Sequence, residues 1–357
     1  MKNVLQIMNY GAQYKGNFIS SMLLLEDALL DRCGENTVYL LPSRAKARDW
    51  ANEMIGAGKT VYFMPGNPLK AASLIRKIIG GHDIDIIHSH FITFRDYIPL
   101  QLALLFKRIP HLFHAHSVPK KRSTAAGEFL KRRLTKLSIV VCVSDAVSEQ
   151  YTARGYNCVT VRNGLDLTRL DAFQPIERGG LTAAGPGVKI VFMMGYDLHV
   201  KGVDTAVRAL SEFDTSRQFA LCVCVANHMD EVRAGIIELL GEIPPWVRLL
   251  PPRADVASYY RAADIFLAPS RFEGFSYSVC EAAYMELPLA LSDIPAHREL
   301  SIPGAAFFAP EDAHGLYDAL CGISRNSPPL SEAKSYAANT FSIEAWIKQI
   351  LSIYNDT

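Results

Sequence analysis

The chain has 357 residues, of which 49% are hydrophobic and 20% are charged, and its formal net charge is +1 at pH 7. This is the composition of a globular protein. The near-zero charge excludes the general attraction to nucleic acid that a strongly basic protein has. The length predicts two domains of about 150 to 180 residues each.

The lack of a recognisable targeting signal in this sequence and its cysteine usage predict a cytoplasmic protein. The N-terminal apolar run is too short for a signal peptide. No run approaches the roughly 20 apolar residues that span a bilayer. The seven cysteines are scattered, and several stand in apolar runs such as "FALCVCVA". They are expected to be buried, reduced thiols.

Short apolar runs alternate with amphipathic segments along the first half of the chain. The predicted strands are "NVLQIMNY", "TVYLLP", "TVYFMP", "IDIIHSH", "HLFHAHS", "IVVCVSD" and "CVTVRNG". They are continuously apolar, which is typical of parallel strands covered by helices on both faces. Segments such as "KAASLIRKIIGG" between them have helical periodicity.

A stretch rich in Gly, Pro and Ala interrupts the pattern, which then restarts with "IVFMMGY", "FALCVCVA", "VRLLPP", "DIFLAPS", "LPLALSD" and "AAFFAP". The prediction is an α/β protein of two Rossmann-like, doubly wound domains. The predicted divisions are an N-terminal domain at 1–170, a linker at 171–188, a C-terminal domain at 189–340, and a helix at 341–357 that could pack back on the first domain.

The loop "RFEGFS" lies between a predicted strand and the helix "YSVCEAAYMEL". A glycine loop that opens a helix can bind an anion through free backbone N–H groups and the helix dipole. Gly274 would allow close approach, and Glu281 near the same end could accept hydrogen bonds from a diol such as ribose. Alternatively, Ser278 and Glu281 form a capping box with a structural role only.

A second strand exit in the same domain carries Lys201 and Gly202 at the start of another helix, after Gly195. Lys201 could act as a point charge for a diphosphate. The alternative is an ordinary solvated surface lysine. The strand–loop–helix context favours the functional interpretation.

Four segments together resemble the retaining glycosyltransferases of family four: "RFEGFSYSVCEA" with its Glu-x7-Glu spacing, "GYDLHVKG", "VRNGLD" and "CVSDAV". The resemblance covers nearly the whole chain, in the expected order. It implies the GT-B fold, in which two Rossmann-like domains face each other across a cleft. It also implies a nucleotide-sugar donor, with a UDP-sugar expected rather than a GDP-sugar.

The resemblance assigns roles to individual residues of the second domain. Glu281 would bind the nucleotide ribose, and Glu273 would lie beside the donor sugar and the diphosphate. Lys201 and the backbone of Gly274, Phe275 and Ser276 would face the diphosphate and sugar. One position departs from the pattern, because Tyr196 stands where the family usually has an arginine. Among the nearby cations, three could compensate: His199, Arg253 and Arg271.

The first domain offers a glycine-containing loop and four histidines. By the resemblance, Gly16 and Asn17 lie near the donor phosphate and acceptor, although the loop lacks the family's usual paired glycines. The histidines stand in "HSH" at 88–90 and "HAH" at 114–116, and their residue type alone is compatible with a metal site. The resemblance instead implies that His116 contacts the donor sugar, that His114 points inward, and that no divalent metal is needed. Asp83-x-Asp85 precedes a strand rather than ending it, so it is not expected to bind metal either.

The implied reaction is transfer of a sugar to a hydroxyl of a glycan or lipid-linked glycan with retention at the anomeric carbon, in surface polysaccharide assembly. His116, Lys201 and Glu273 are the expected catalytic residues. Two alternatives stay open: a nucleotide-sugar 2-epimerase of the same fold, and a catalytically silent protein that binds nucleotide sugars, which the Tyr196 departure favours.

The segment from Lys120 to Lys136 holds seven Lys or Arg residues and one acidic residue, Glu128. Part of it has leucines and Phe129 on one helical face. It is either a solvated helix packed through that face or a surface for anionic lipid, where each basic residue contributes about 1 kcal/mol. The second interpretation predicts a protein peripheral at the inner face of the membrane.

Overall fold

A computed structural model describes residues 2–33, 36–92, 94–105, 107–119, 139–181, 185, 187–326 and 328–357. The basic segment Lys120–Lys136 lies outside the described residues. Compact packing divides the chain into two units. Unit 1 comprises Met1–Gly164 and Ile343–Thr357, and unit 2 comprises Leu165–Ser342.

Unit 1 is built on a seven-stranded sheet in which every neighbouring pair is parallel. The strand order is β3-β2-β1-β4-β5-β6-β7, so the chain reverses direction across the sheet between β1 and β4. The strands are β1 Asn3–Met8, β2 Thr37–Pro42, β3 Thr60–Met64, β4 Ile84–His90, β5 His111–Ala115, β6 Ile139–Cys142 and β7 Cys158–Thr160.

Helices cover both faces of this sheet, which is why its strands are almost continuously apolar. Local signals fix their starts. The Asn67 side chain accepts from the N–H groups of Leu69 and Lys70 at 3.0 and 3.1 Å, and Ser144 accepts from that of Val147 at 3.2 Å. The helices are α1 Gly16–Cys33, α2 Asp49–Gly56, α3 Pro68–Gly81, α4 Phe94–Ala103 and α5 Asp145–Thr152, with a 3-10 turn at Ser43–Ala47.

The C-terminal helix, Ile343–Asp356, belongs to unit 1. It buries Trp346, Ile350 and Tyr354 in the same core cluster as α1 and β1. Gly164 allows this approach, since a Cβ there would lie 2.5 Å from Trp346 Cβ. The glycine of "VRNGLD" therefore has a packing role in unit 1.

Unit 2 has a six-stranded parallel sheet with the order β10-β9-β8-β11-β12-β13. Its chain reversal lies between β8 and β11, and ligands of such sheets bind beyond the strand ends at this point. The strands are β8 Lys189–Met194, β9 Phe219–Cys224, β10 Val247–Leu250, β11 Ile265–Ala268, β12 Leu289–Ser292 and β13 Ala306–Phe308.

The helices of unit 2 are α6 Arg178–Leu181, α7 Val203–Glu212, α8 Met229–Leu240, α9 Ala257–Ala262, α10 Tyr277–Tyr284, α11 Pro295–Arg298, α12 Ala313–Arg325 and α13 Leu330–Thr340, after a 3-10 turn at Leu167–Leu170. The segment before β8 is anchored to this unit, because Arg178 forms an ion pair with Asp264 at 2.8 Å. The predicted α/β architecture of two doubly wound domains is confirmed. Six cysteines are free thiols: Cys142, Cys158, Cys222, Cys224, Cys280 and Cys321. Within the described ranges, no helix combines the length and apolarity needed to cross a bilayer.

Candidate functional site

The chain reversal of unit 2 brings Lys201 and Glu273 together. Lys201 ends the loop after β8, and Glu273 lies in the loop after β11. The Lys201 ammonium forms an ion pair with Glu273 Oε1, and the two side chains are 11% and 10% exposed. A cation and a carboxylate are therefore held, almost buried, at the place where the fold predicts a ligand.

Gly202 makes this pairing possible. Its backbone is left-handed, with φ of +68°, and a Cβ there would lie 2.0 Å from the carbonyl oxygen of Pro269. Only glycine tolerates both conditions. The first turn of α7 consequently sits against the exit of β11, which places Lys201 beside the Glu273 loop.

The surroundings of Lys201 keep it charged. Burial lowers the pKa of Lys201, but the Glu273 carboxylate and Tyr196 raise it, and the net pKa lies above its ordinary value. The Lys201 ammonium stands over the Tyr196 ring, 4.9 Å from its centroid. Ser270 Oγ donates to Glu273 Oε1 at 2.9 Å. Tyr196, which replaces the family's arginine, thus contacts the cation through its ring face.

The three cations considered as substitutes for that arginine have other partners. Arg271 donates two hydrogen bonds to the buried Asp204 carboxylate, at 2.7 and 2.8 Å. His199 Nδ1 lies 3.0 Å from the same carboxylate. The Arg253 guanidinium stands over the ring of Tyr259, 5.6 Å from its centroid.

Asp204 is a structural residue that the sequence analysis did not identify. Burial raises the pKa of Asp204, but the hydrogen bonds from Arg271 and His199 lower it by more than burial raises it. The pKa of Asp204 therefore lies below the ordinary 3.8. It joins the first turn of α7 to the loop after β11. Its position in the first turn of a predicted helix was the available sequence signal.

The loop Gly274–Ser276 leads into α10. All three of its residues are buried, and Ser276 is the N-cap without a side-chain capping hydrogen bond. Among the described residues, no hydrogen bond is found from the backbone N–H groups of Gly274, Phe275 or Ser276. These groups, with the dipole of α10, give this turn the character of an anion-binding site.

Glu281 lies inside α10 and is 7% exposed. Its Oε1 forms an ion pair with Arg169, and its Oε2 accepts from the Tyr260 hydroxyl at 3.0 Å. The carboxylate bonds these side chains rather than the backbone of Ser278, and Ser278 lies within the helix rather than at its N-cap. The capping-box alternative is therefore not the observed arrangement.

Arg169 and Tyr260 were not singled out from the sequence. A carboxylate between Cys280 and Ala282, in an otherwise apolar helix, requires a buried partner, and that was the only signal for them. The partners lie 112 and 21 residues away in sequence.

His297, in α11, is a further residue that the sequence analysis missed. It is fully buried, and its Nδ1 lies 2.9 Å from the carbonyl oxygen of Ser292. Its Nε2 has no hydrogen-bond partner within the described part of the chain. Burial lowers the pKa of His297, and Glu273 and Lys201 act on it in opposite directions. His297 is thus a neutral group in the electrostatic environment of the Lys201 pair.

In unit 1, His116 follows β5 and is held by two aromatic rings. It stacks on Phe91, with centroids 4.0 Å apart, and meets the edge of Phe18 at 5.5 Å. Its Nε2 lies 3.2 Å from His90 Nδ1. Burial lowers the pKa of His116 well below its ordinary value, so the ring is neutral at pH 7.

The histidine cluster extends inward from His116. Ring nitrogens of His88, His90 and His114 lie within 4.8 Å of one another, the one such group found among the described residues. The Asp83-x-Asp85 segment is engaged elsewhere: the Asn3 backbone N–H donates to Asp85 at 2.8 Å, and the Asn3 side chain donates to the carbonyl of Asp83.

Gly16 and Asn17 begin α1. Gly16 is left-handed, with φ of +57°. The buried Asn17 amide donates to the carbonyl of Gly164 at 2.9 Å. The structure thus joins the first loop of unit 1 to the "VRNGLD" turn.

Two family profiles match this chain, one on each unit. Residues 25–169 match the profile described as "Glycosyltransferase Family 4", and residues 187–326 match "Glycosyl transferases group 1". Together they span most of the chain, and the second includes Lys201, Glu273 and Glu281.

Two relatives carry the name lipopolysaccharide core biosynthesis mannosyltransferase. The chain is 28% identical to the mannosyltransferase LpcC of Rhizobium leguminosarum bv. viciae, over 70% of this chain and 72% of that protein. It is 23% identical to the mannosyltransferase LpsB of Rhizobium meliloti, over 74% of this chain and 75% of that protein.

A solved structure has the same fold over its whole length. Anabaena Alr3699/HepE, crystallised in complex with UDP and glucose, superposes with a TM-score of 0.81 at 16% identity, covering 100% of both chains. The matched profiles, the relatives and the paired Rossmann-like sheets lead to one conclusion: the chain belongs to the family-four glycosyltransferases, which have the GT-B fold.

Proposed function

We propose that the protein transfers a sugar, with retention of anomeric configuration, from a UDP-sugar to a hydroxyl of a glycan or lipid-linked glycan. The observation that carries the proposal is the Lys201–Glu273 pair at the chain reversal of unit 2. A nearly buried ammonium beside two helix N-termini is suited to a diphosphate. Its ion pair with Glu273 supplies a countercharge while no ligand is bound.

The chemistry follows from where charge develops. The bond between the anomeric carbon and the β-phosphate oxygen breaks, and both electrons stay on the diphosphate. Lys201 and the N-terminus of α10 stabilise that charge. The acceptor oxygen bonds to the anomeric carbon on the face that the diphosphate leaves, and the acceptor proton passes to a phosphate oxygen. In this scheme no nucleophile from the protein is required.

Glu281 is proposed to accept hydrogen bonds from the nucleotide ribose. Arg169 and Tyr260 fix the orientation of its two oxygens. A diol can donate to lone pairs that these two partners leave unused. His116 is proposed to contact the donor sugar, as the family resemblance implies.

The choice of UDP is supported by two structures of Alr3699/HepE. One contains UDP and glucose, and the other contains UDP-glucose. The lipopolysaccharide relatives support a glycan acceptor in surface polysaccharide assembly. For a lipid-linked acceptor, the basic segment Lys120–Lys136 would bring the enzyme to anionic lipid.

The direct test is incubation with a panel of UDP- and GDP-sugars, with and without candidate core oligosaccharides. NMR of the product would read the anomeric configuration. An inverted linkage would contradict retention, and exclusive use of a GDP-sugar would contradict the choice of nucleotide. A 2-epimerase would instead convert the nucleotide sugar with no acceptor present, and a silent binding protein would bind it without turnover.

Membrane association is tested separately, by co-sedimentation with vesicles that contain or lack anionic lipid, at low and high salt. We expect salt-sensitive binding that disappears when Lys131, Arg132 and Arg133 are changed to Ser. Equal binding to neutral and anionic vesicles at low salt would contradict it and favour an acceptor that is not bound to a membrane.

A further inference from the structure

A continuous set of hydrogen bonds leads from the core of unit 1 to His116. Gln6 Nε2 donates to the Tyr354 hydroxyl oxygen at 2.9 Å, and Gln6 Oε1 lies 3.1 Å from His90 Nε2. His90 Nδ1 then lies 3.2 Å from His116 Nε2. Strand register explains the alignment, since Gln6 pairs with His88 and His90 pairs with His114, two residues from His116.

The nearby histidines could be interpreted as a metal site, because His88 Nε2 and both ring nitrogens of His114 have no hydrogen-bond partner among the described residues, but His90 is already fully engaged. Both ring nitrogens of His90 face hydrogen-bond partners, and His88 Nδ1 lies 2.7 Å from the Tyr354 hydroxyl. A metal ion would have to displace at least one partner of His90. The hydrogen-bonded arrangement therefore accounts for His90 better than ligation does.

The proton positions in the hydrogen bonds from Gln6 to His116 follow from donor and acceptor chemistry. The Gln6 carbonyl oxygen can only accept, so His90 Nε2 carries the proton. Burial lowers the pKa of His90 well below its ordinary value, so the ring is neutral and its Nδ1 is a bare acceptor. His116 Nε2 must then donate to it. The second nitrogen of neutral His116, Nδ1, is left as a lone pair.

We propose that Gln6 and His90 are positioning residues that hold His116 as its Nε2–H tautomer and present its bare Nδ1 to a substrate hydroxyl. The part of the proposal that concerns substrate rests on the proposed function of this protein. His116 would then act as a hydrogen-bond acceptor for that hydroxyl, and neither as a donor nor as a cation.

Packing supports a fixed ring. Phe91 covers one face of His116 and Phe18 meets it edge-on, at 90° between ring planes. The C-terminal helix anchors the other end of this set of hydrogen bonds, because its Tyr354 is 2% exposed and accepts a hydrogen bond from Gln6. Gln6 is itself 1% exposed, which limits competition from water.

The test reads the tautomer directly in the whole protein. Long-range ¹H–¹⁵N NMR of protein labelled with ¹⁵N-histidine distinguishes protonated from bare ring nitrogens, and loss of signals in His116→Asn assigns the residue. We expect His116 protonated at Nε2 in the wild type at pH 7.5. Gln6→Leu should remove this preference and give a tautomer mixture.

The matched control is Ser89→Ala. Ser89 lies on β4 between His88 and His90 but bonds His111 at 2.8 Å, on the opposite side of the strand. Its loss should leave the His116 tautomer unchanged. A proton on His116 Nδ1 in the wild type, or no change in Gln6→Leu, would overturn the proposal.

Kinetics separate this proposal from the proposed function. Gln6→Leu should lower kcat roughly tenfold, because His116 is no longer held in the productive form. Its Kd for UDP should stay unchanged. A wild-type kcat despite an altered tautomer would overturn the substrate part. If no variant or wild type transfers sugar while the tautomer is as expected, the proposed function fails and the positioning by Gln6 stands.

Discussion

The carboxylate of Glu281 is shared between the guanidinium of Arg169 and the hydroxyl of Tyr260. An acidic side chain in the apolar helix α10 is stable there because a cation and a donor from two other segments neutralise and orient it. In the proposed function, the same geometry presents a fixed carboxylate to the nucleotide ribose.

Changing Glu281 to Gln tests the ribose role. UDP affinity should fall by about 1–3 kcal/mol, since the amide cannot accept from both hydroxyls. Calorimetry with UDP and with 2′,3′-dideoxy-UDP would measure the effect, and the variant should bind both equally. The control is Glu286→Gln, at a surface carboxylate that pairs with Lys334 at 3.0 Å. An equal loss for both nucleotides relative to the wild type would contradict the role.

The sheets could be predicted from sequence because local pattern determines them. Each of the thirteen apolar runs proposed as strands contains one, in two parallel sheets of seven and six strands. Their burial on both faces leaves a signal in every run. The loops with Lys201 and Glu273 could be found for the same reason, since each directly follows such a run.

The partners within the site could not be predicted, because their contacts are distant in sequence. Arg271 meets Asp204 across 67 residues, and Arg169 meets Glu281 across 112. A charged residue has many possible partners, and only the fold selects one. The Nε2 of His297, which has no partner in the part of the chain that the structure describes, likewise has no sequence signature, since burial of a single histidine depends on tertiary packing.

Gly202→Ala tests the close approach of α7 to the exit of β11. A Cβ would lie 2.0 Å from Pro269 O, so the two loops must separate and the Lys201–Glu273 pair must weaken. The control is Gly241→Ala, where φ is +83° but, apart from the adjoining backbone, no atom of the described residues lies within 4 Å of the new Cβ. Left-handed strain alone costs about 1 kcal/mol.

Chemical unfolding of both glycine variants gives the measurement. Gly202→Ala should lose at least about 1 kcal/mol more than Gly241→Ala, because clash adds to strain. It should also lose UDP binding, whereas Gly241→Ala should retain it. If both variants are destabilised equally and both still bind UDP, the close approach of α7 to the exit of β11 is not needed for the site.

Buried histidines make unit 1 sensitive to acid. Burial lowers the pKa of His111 and His114 to about 3 and that of His88 and His90 well below 6.5. The unfolded chain takes up these protons near pH 6.5, and the folded chain does not. Stability is therefore full above pH 6.5 and falls as pH decreases toward 3, by roughly 1 kcal/mol per pH unit for each histidine.

Tryptophan fluorescence can isolate this effect. Trp50 and Trp346 lie in unit 1, so a Trp246→Phe background reports on that unit during urea unfolding at pH 7.5, 6.5 and 5.5. His111→Asn should reduce the slope of stability against pH by the contribution of one of the four histidines. His314→Asn, at a side chain 65% exposed in unit 2, should not change it. A stability independent of pH over this range would contradict the account.

The most direct test of the central claim is the turnover of the donor sugar by Lys201→Met, compared with Lys334→Met. Lys334 is a surface lysine of the same unit, with a side chain 39% exposed, and it serves as the control for loss of one charge. Because Lys201 is proposed to stabilise the departing diphosphate, Lys201→Met should lower kcat by about 100-fold or more while the protein stays folded. Lys334→Met should keep wild-type turnover. A kcat of Lys201→Met within about twofold of the wild type would contradict the assignment of this site.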